Sequence, residues 1–369
     1  MSLQSLRSWL ALCLFALWTG CIVNPVPTPG PYEGSTDPTK QDVFYGGDAA
    51  TDASVYPDTT SSDATGQPDS DGAEDNAFDV TPATASDPLI ASFLPKATDP
   101  AIDTALLPHV AMVKTSGLLP DRLLVHLAGT GGDPAGSRLL LREAALLGHA
   151  ALGLEYPNTP AVATICGDST YCYESVRMEI LDGVDRTDKV AITPANSIRN
   201  RLVKALQFLD KHDPGHGWGA FVVNGEPKWS AILISGHSQG GGHTAMIGKL
   251  HETAGVLLFA SVVDTANGQP AMWVTSSHAT PLDRYFALAH TKDPLFAAIS
   301  NNWTALGMGG NSQHIDVDKT APPYLSARML VTSLPSDHPH LAVVVDDSTP
   351  LDDEGEPVYA PVWRHMIGL

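Results

Sequence analysis

The stretch Gly236-His237-Ser238-Gln239-Gly240 places a serine among glycines at the point where the apolar run Ala231–Ser235 stops. A hydroxyl becomes a useful nucleophile only when it is exposed and a base can take its proton. The pattern G-x-S-x-G meets the first need when it lies between a strand and a helix. There the serine adopts a strained backbone and stands clear of the sheet, while Gly236 and Gly240 let strand and helix approach closely. Both flanks fit, since AILIS reads as a strand and QGGGHTAMIGKLHE as a helix. The start of that helix directs free N–H groups and a positive dipole end at the hydroxyl.

Residues able to serve such a serine follow downstream. Asp293 lies in TKDP, just beyond the strand YFALAH, and Asp264 closes LLFASVVD. His338 and His340 lie in PSDHPHLAVVVDDSTP, after the strand RMLVTSL. Upstream, VHLAGTGGDP reads as a strand, a glycine-rich turn and a helix start. It lacks the Lys-Ser/Thr of a P-loop and the spacing of a dinucleotide fingerprint.

Taken in this order, the motifs resemble the α/β-hydrolase superfamily, in particular its serine esterase and lipase branch. The resemblance spans most of residues 89–369. It implies a triad in the chain order Ser, Asp, His, with Ser238 as nucleophile, Asp293 as acid and His340 as base. Asp264 competes for the acid, because some members place it one strand earlier. His338 competes for the base, and His340 is preferred because it immediately precedes an apolar run. The oxyanion donors by the same resemblance are the N–H groups of Gln239 and Thr130, with Gly131 the neighbouring alternative. His237, the variable residue of the motif, is expected to point away from the site. His290 lies close enough to Asp293 to support it, and His243 and His251 are expected to pack. The implied reaction is acyl transfer to water through an acyl-enzyme, with no metal or organic cofactor. The favoured substrate is a carboxylic ester. A peptidase or lactonase on the same triad, and an inactive binding protein on this scaffold, are the competing readings.

The elements that must position these residues alternate. HVAMVK, RLLVHLA, ALGLEY, AILISG, GVLLFASVV, YFALAH and RMLVTSL read as strands, with amphipathic helices in SRLLLREAALLGHA and ANSIRNRLVKALQFLDKH. Strands apolar throughout their length, alternating with helices, predict an α/β protein: a mainly parallel central sheet with helices on both faces. The segments EYPNTPAVATICGDSTYCYESVRMEILDG and ANGQPAMWVTSSHATP are long excursions over the sheet, the kind that set specificity. Tyr156, Trp273 and Trp303 are candidates to line a pocket or simply to pack, and Trp363 is expected to pack in a closing helix.

Outside this domain the chain changes character. Residues 1–21 carry Arg7, an apolar stretch and the ending LWTGC, which resembles a bacterial lipoprotein signal with Cys21 as the lipidated mature N-terminus. Trp18 stands where such a signal usually has leucine. Residues 22–88 are rich in Pro, Thr, Ser and Asp, and Lys40 is the only basic residue from Ile22 to Asp87. Such a segment reads as a disordered acidic linker. The remaining pair, Cys166 and Cys172, reads as a disulfide closing a short loop in an exported chain. The expected location is therefore the periplasmic or outer face of a bacterial outer membrane, with the protein held there by its lipid. The net charge of −20 argues against nucleic acid as a partner.

Overall fold

The computed structural model describes residues 78–81 and 87–368. The expected signal peptide, Cys21 and nearly all of the expected linker lie outside the described residues. No helix among the described residues is long and apolar enough to cross a membrane.

The strands in chain order are β1 (Phe78–Thr81), β2 (Leu89–Phe93), β3 (His109–Val113), β4 (Leu123–Leu127), β5 (Ala150–Gly153), β6 (Ile232–His237), β7 (Gly255–Phe259), β8 (Tyr285–His290), β9 (Ile315–Asp316) and β10 (Met329–Thr332). They form one sheet in the order β1-β2-β3-β5-β4-β6-β7-β8-β10-β9. The pairs from β1 to β5 are antiparallel, and every pair from β5 through β4 to β9 is parallel. The parallel strands β4 to β8 are buried at every position, so both faces of the sheet need cover.

Helices supply it. They are α1 (Arg138–Leu146), α2 (Val162–Cys166), α3 (Cys172–Asp182), α4 (Ile198–His212), α5 (Gln239–Leu250), α6 (Phe296–Ala305) and α7 (Ala360–Gly368). α1 packs on α7, while α3 packs on both α4 and α5. Ser197 starts α4 by accepting the Asn200 N–H at 3.2 Å, a side-chain cap that satisfies one of the helix's orphan donors. The architecture is the α/β-hydrolase fold expected from the sequence.

Three elements depart from the expectation. β1 falls inside the stretch read as linker. Its Phe78 ring packs against Phe93 at 6.2 Å and Phe208 at 5.7 Å, so one aromatic anchors an otherwise exposed strand at the sheet edge. The first long excursion is largely helical, carrying α2 and α3. Cys166 ends α2 and Cys172 begins α3, and the two form the disulfide, with Cα atoms 5.4 Å apart. The second excursion carries a short antiparallel hairpin, Thr265–Ala266 with Gln269–Pro270. The two are joined by the Asn267 N–H, which donates to Asp168 Oδ1 at 2.7 Å, and by the Tyr173 hydroxyl, which donates to Thr265 O at 2.9 Å.

Candidate active site

β6 ends at His237 and α5 begins at Gln239, leaving Ser238 alone to make the turn. Its backbone lies at φ 50°, ψ −115°, a region that L side chains rarely occupy. The Ser238 N–H donates to Phe259 O at 2.9 Å, which ties the turn to β7. A Cβ on Gly236 would collide with the backbone of Gly240, and one on Gly240 with the carbonyls of Leu127 and Ala128. Those two glycines let the strand run directly into the helix. Ser238 is the one partly exposed residue between buried His237 and buried Gln239. The first N–H groups of the 12-residue helix α5, which have no intrahelical acceptor, stand beside it.

Asp293 and His340 meet. The His340 Nδ1–H donates to Asp293 Oδ2 at 2.7 Å, with the carboxylate side chain fully buried and the imidazole 24% exposed. The other oxygen, Oδ1, accepts the Leu295 N–H at 2.8 Å, so the acid is fixed by its own turn. His290 braces the pair. Its Nε2–H donates to Leu334 O at 2.6 Å, in the loop that leads to His340, and its Nδ1 accepts the Lys292 N–H at 2.9 Å.

The competitors lie elsewhere. Asp264 is gripped by Arg177, whose Nε donates to Oδ2 at 2.6 Å and Nη2 to Oδ1 at 2.5 Å, and by Trp273 Nε1 at 2.9 Å. The His338 ring is exposed, and its carbonyl accepts the Leu341 and Ala342 N–H groups.

His237 corrects an expectation. It does not point away from this cluster: its Nε2–H donates to His340 O at 2.9 Å, and the two rings lie 4.9 Å apart. The space comes from Gly129, where a Cβ would stand 2.7 Å from His237 Nδ1 and 3.3 Å from Ser238 Cβ. Burial, with the neighbouring His340 adding to it, holds the His237 pKa well below the ordinary imidazole value, so this ring is a neutral strut.

The glycine-rich turn after β4 lies against the elbow. Thr130 is exposed, and its hydroxyl donates to Gln239 Oε1 at 3.0 Å. The sequence singled out these two residues for their N–H groups and gave no sign of the bond between their side chains. Nor did it mark Asn158, whose Nδ2 donates to Gly129 O at 3.1 Å and Gly132 O at 2.8 Å. The three aromatic candidates, Tyr156, Trp273 and Trp303, are interior. Tyr156 donates to Ala128 O at 2.7 Å, Trp303 Nε1 to Ser261 O at 2.6 Å, and Arg177 lies over the Trp273 ring. Trp363 is buried as expected, with its Nε1–H on Val343 O.

The fold and this arrangement define an α/β-hydrolase scaffold with a partly exposed elbow serine. No protein-family model and no curated protein matches the chain. Among solved structures, the chain is similar to a cold-adapted esterase from an Arctic intertidal metagenomic library, at 14% identity and a TM-score of 0.38, over 79% of this chain and 93% of that one. It is also similar to an S-formylglutathione hydrolase from Agrobacterium tumefaciens (12%, TM-score 0.37, 69% and 89%) and to carboxyl esterase 2 from the fungus Tuber melanosporum (15%, TM-score 0.35, 68% and 78%).

Proposed function

We propose that this protein is a serine hydrolase of carboxylic esters. Ser238 is the nucleophile, His340 the general base, Asp293 the acid that orients it, and the Gln239 and Thr130 N–H groups the oxyanion donors. One observation carries the reading: the Asp293–His340 pair is fastened by a hydrogen bond from His237, the residue next to a partly exposed serine held at positive φ.

The chemistry follows from the hydrogen bonds. With Nδ1–H committed to Asp293, Nε2 is the nitrogen of His340 left to accept the Ser238 proton. As Oγ attacks the ester carbonyl, the buried carboxylate stabilises the imidazolium that forms. The carbonyl oxygen takes up negative charge beside the N–H groups at the start of α5 and in the 129–132 turn. Collapse returns the proton from Nε2 to the leaving alkoxide, which departs as the alcohol and leaves an acyl-serine. Water, deprotonated by the same nitrogen, then releases the carboxylic acid and restores Ser238.

A fluorophosphonate probe tests the reading. Wild type is expected to label, and Ser238→Ala to remain unlabelled and lose turnover of p-nitrophenyl esters. Well-folded wild type that fails to label would sink it. A peptide panel run beside esters from acetate to palmitate separates esterase from peptidase. Export and anchoring through Cys21 belong to the same proposal. Radiolabelled palmitate should enter the wild-type protein and not Cys21→Ser.

A further inference from the structure

The glycine-rich turn Gly129–Gly132 contributes almost no side chain with which to hold itself. Glycine loses more conformational freedom on ordering than any other residue, so this turn needs outside restraint to keep one shape. Three buried side chains supply it. Tyr156 donates to Ala128 O at 2.7 Å. Asn158 spans the turn with one amide nitrogen, reaching the carbonyls of Gly129 and Gly132. The Gln239 side chain then joins the turn to the elbow. Its Oε1 accepts both the Thr130 hydroxyl at 3.0 Å and the Val162 N–H at 2.8 Å, and its Nε2 donates to Asn158 O at 3.0 Å. The amide cannot be turned over, because that would set two donors, Nε2 and the Val162 N–H, against each other.

These clamps share a feature. Where they touch residues 128–132 they take a carbonyl or a hydroxyl, and none uses the Thr130 N–H. The conformation is thus fixed without consuming the donor that would face a developing oxyanion.

We propose that the Asn158 and Gln239 side chains are positioning residues that form a staple between the 129–132 turn and the nucleophile elbow, holding the two oxyanion donors in register. This rests on the hydrolase reading, in which those donors serve the tetrahedral intermediate. An unrestrained turn still binds substrate but meets the transition state poorly. The loss therefore falls on turnover rather than on KM. Misplacing a donor by about 1 Å costs on the order of 100-fold.

The test compares Asn158→Ala, Gln239→Met and Thr130→Val with wild type. Asn158→Ala and Gln239→Met should lower kcat about 10- to 100-fold and leave KM within about threefold. Affinity for a trifluoromethyl ketone, which forms a tetrahedral adduct, should fall in the same proportion. The pH dependence of kcat/KM should stay in place, because the base is untouched. Thr130 is exposed, so its variants keep the fold: Thr130→Val should lose turnover and Thr130→Ser should recover it. Amide exchange at residues 129–132 should speed up about tenfold in Asn158→Ala, with the sheet unchanged. Unaltered exchange there, or folded variants with wild-type kcat, overturns the staple. A wild-type protein without Ser238-dependent turnover would instead defeat the hydrolase reading, and the exchange measurement still decides whether the staple exists.

Discussion

The loops after the neighbouring strands β7 and β8 each bury an aspartate, and the two carboxylates keep different company. Both oxygens of Asp264 are taken by the Arg177 fork, and Trp273 adds a third donor. The same guanidinium donates to Gln239 O at 3.0 Å, so the cluster supports the elbow from beneath. Asp293 instead offers one oxygen to its own turn and the other to a single imidazole that reaches the surface. A guanidinium stays charged at any working pH and accepts nothing. An imidazole can gain and give up a proton. Burial and position along the chain are alike at the two sites, and the partner decides which carboxylate stands beside a group that can titrate.

The strongest way to break this comparison is at the imidazole. His340→Ala is expected to lower kcat by on the order of 10⁶ with the fold kept, read from ester turnover and thermal unfolding. Next come the carboxylates. Asp293→Asn should cost about 10⁴ in kcat and little stability. Asp264→Asn should leave Arg177 as an uncompensated buried charge and cost about 3–5 kcal/mol in urea unfolding, while the folded fraction keeps activity within about tenfold of wild type. If Asp264→Asn proved inactive and Asp293→Asn active, the two roles would be exchanged.

The contrast sharpens when sealed imidazoles replace the carboxylates. Burial lowers the His126 pKa to about 3 and, with Arg201 nearby, that of His109 to about 3. Unfolded histidine binds a proton near pH 6.5, whereas these two stay neutral when folded. Stability should therefore be level above pH 6.5 and fall as pH drops from 6.5 toward 3, by about 1.4 kcal/mol per pH unit for each ring. Glu155 acts with the opposite sign. Burial pushes its carboxyl up to about 7, so its ionisation costs stability as pH rises from the ordinary carboxylate value to 7. Glu155→Gln should raise the melting temperature at pH 8 and steepen the acid loss. The smallest effect is expected at exposed His338, where alanine should keep kcat within about twofold of wild type.

Local pattern was enough to find Ser238, because the apolar strand, the glycine-bracketed turn and the helix are contiguous in sequence. It preferred Asp293 to Asp264 only through the family resemblance, because the partner that sets them apart, Arg177, lies 87 residues before Asp264. Arg177 sits in α3, where buried Tyr173, Val176, Ile180 and Leu181 already show helical spacing. That signal was hidden in a long stretch whose two prolines and cysteine pair read as a loop. β1 was illegible for the same kind of reason, since Phe78 gains its value against the distant rings of Phe93, Phe208 and His212. The direction of His237 depends on the missing side chain of Gly129, 108 residues away, and the Asn158–Gln239 staple spans 81. Hydrogen-bond partners at such distances leave no mark on local periodicity.

The backbone of Ser238 has one last implication. A residue held at φ 50° with a side chain attached costs about 1–3 kcal/mol, and glycine would relieve most of that. On the proposed mechanism, Ser238→Gly should thus give a protein that melts higher and turns over no ester. Selection for robustness alone would drift toward glycine there, so a side chain kept at that φ points to a use that outweighs a tougher fold.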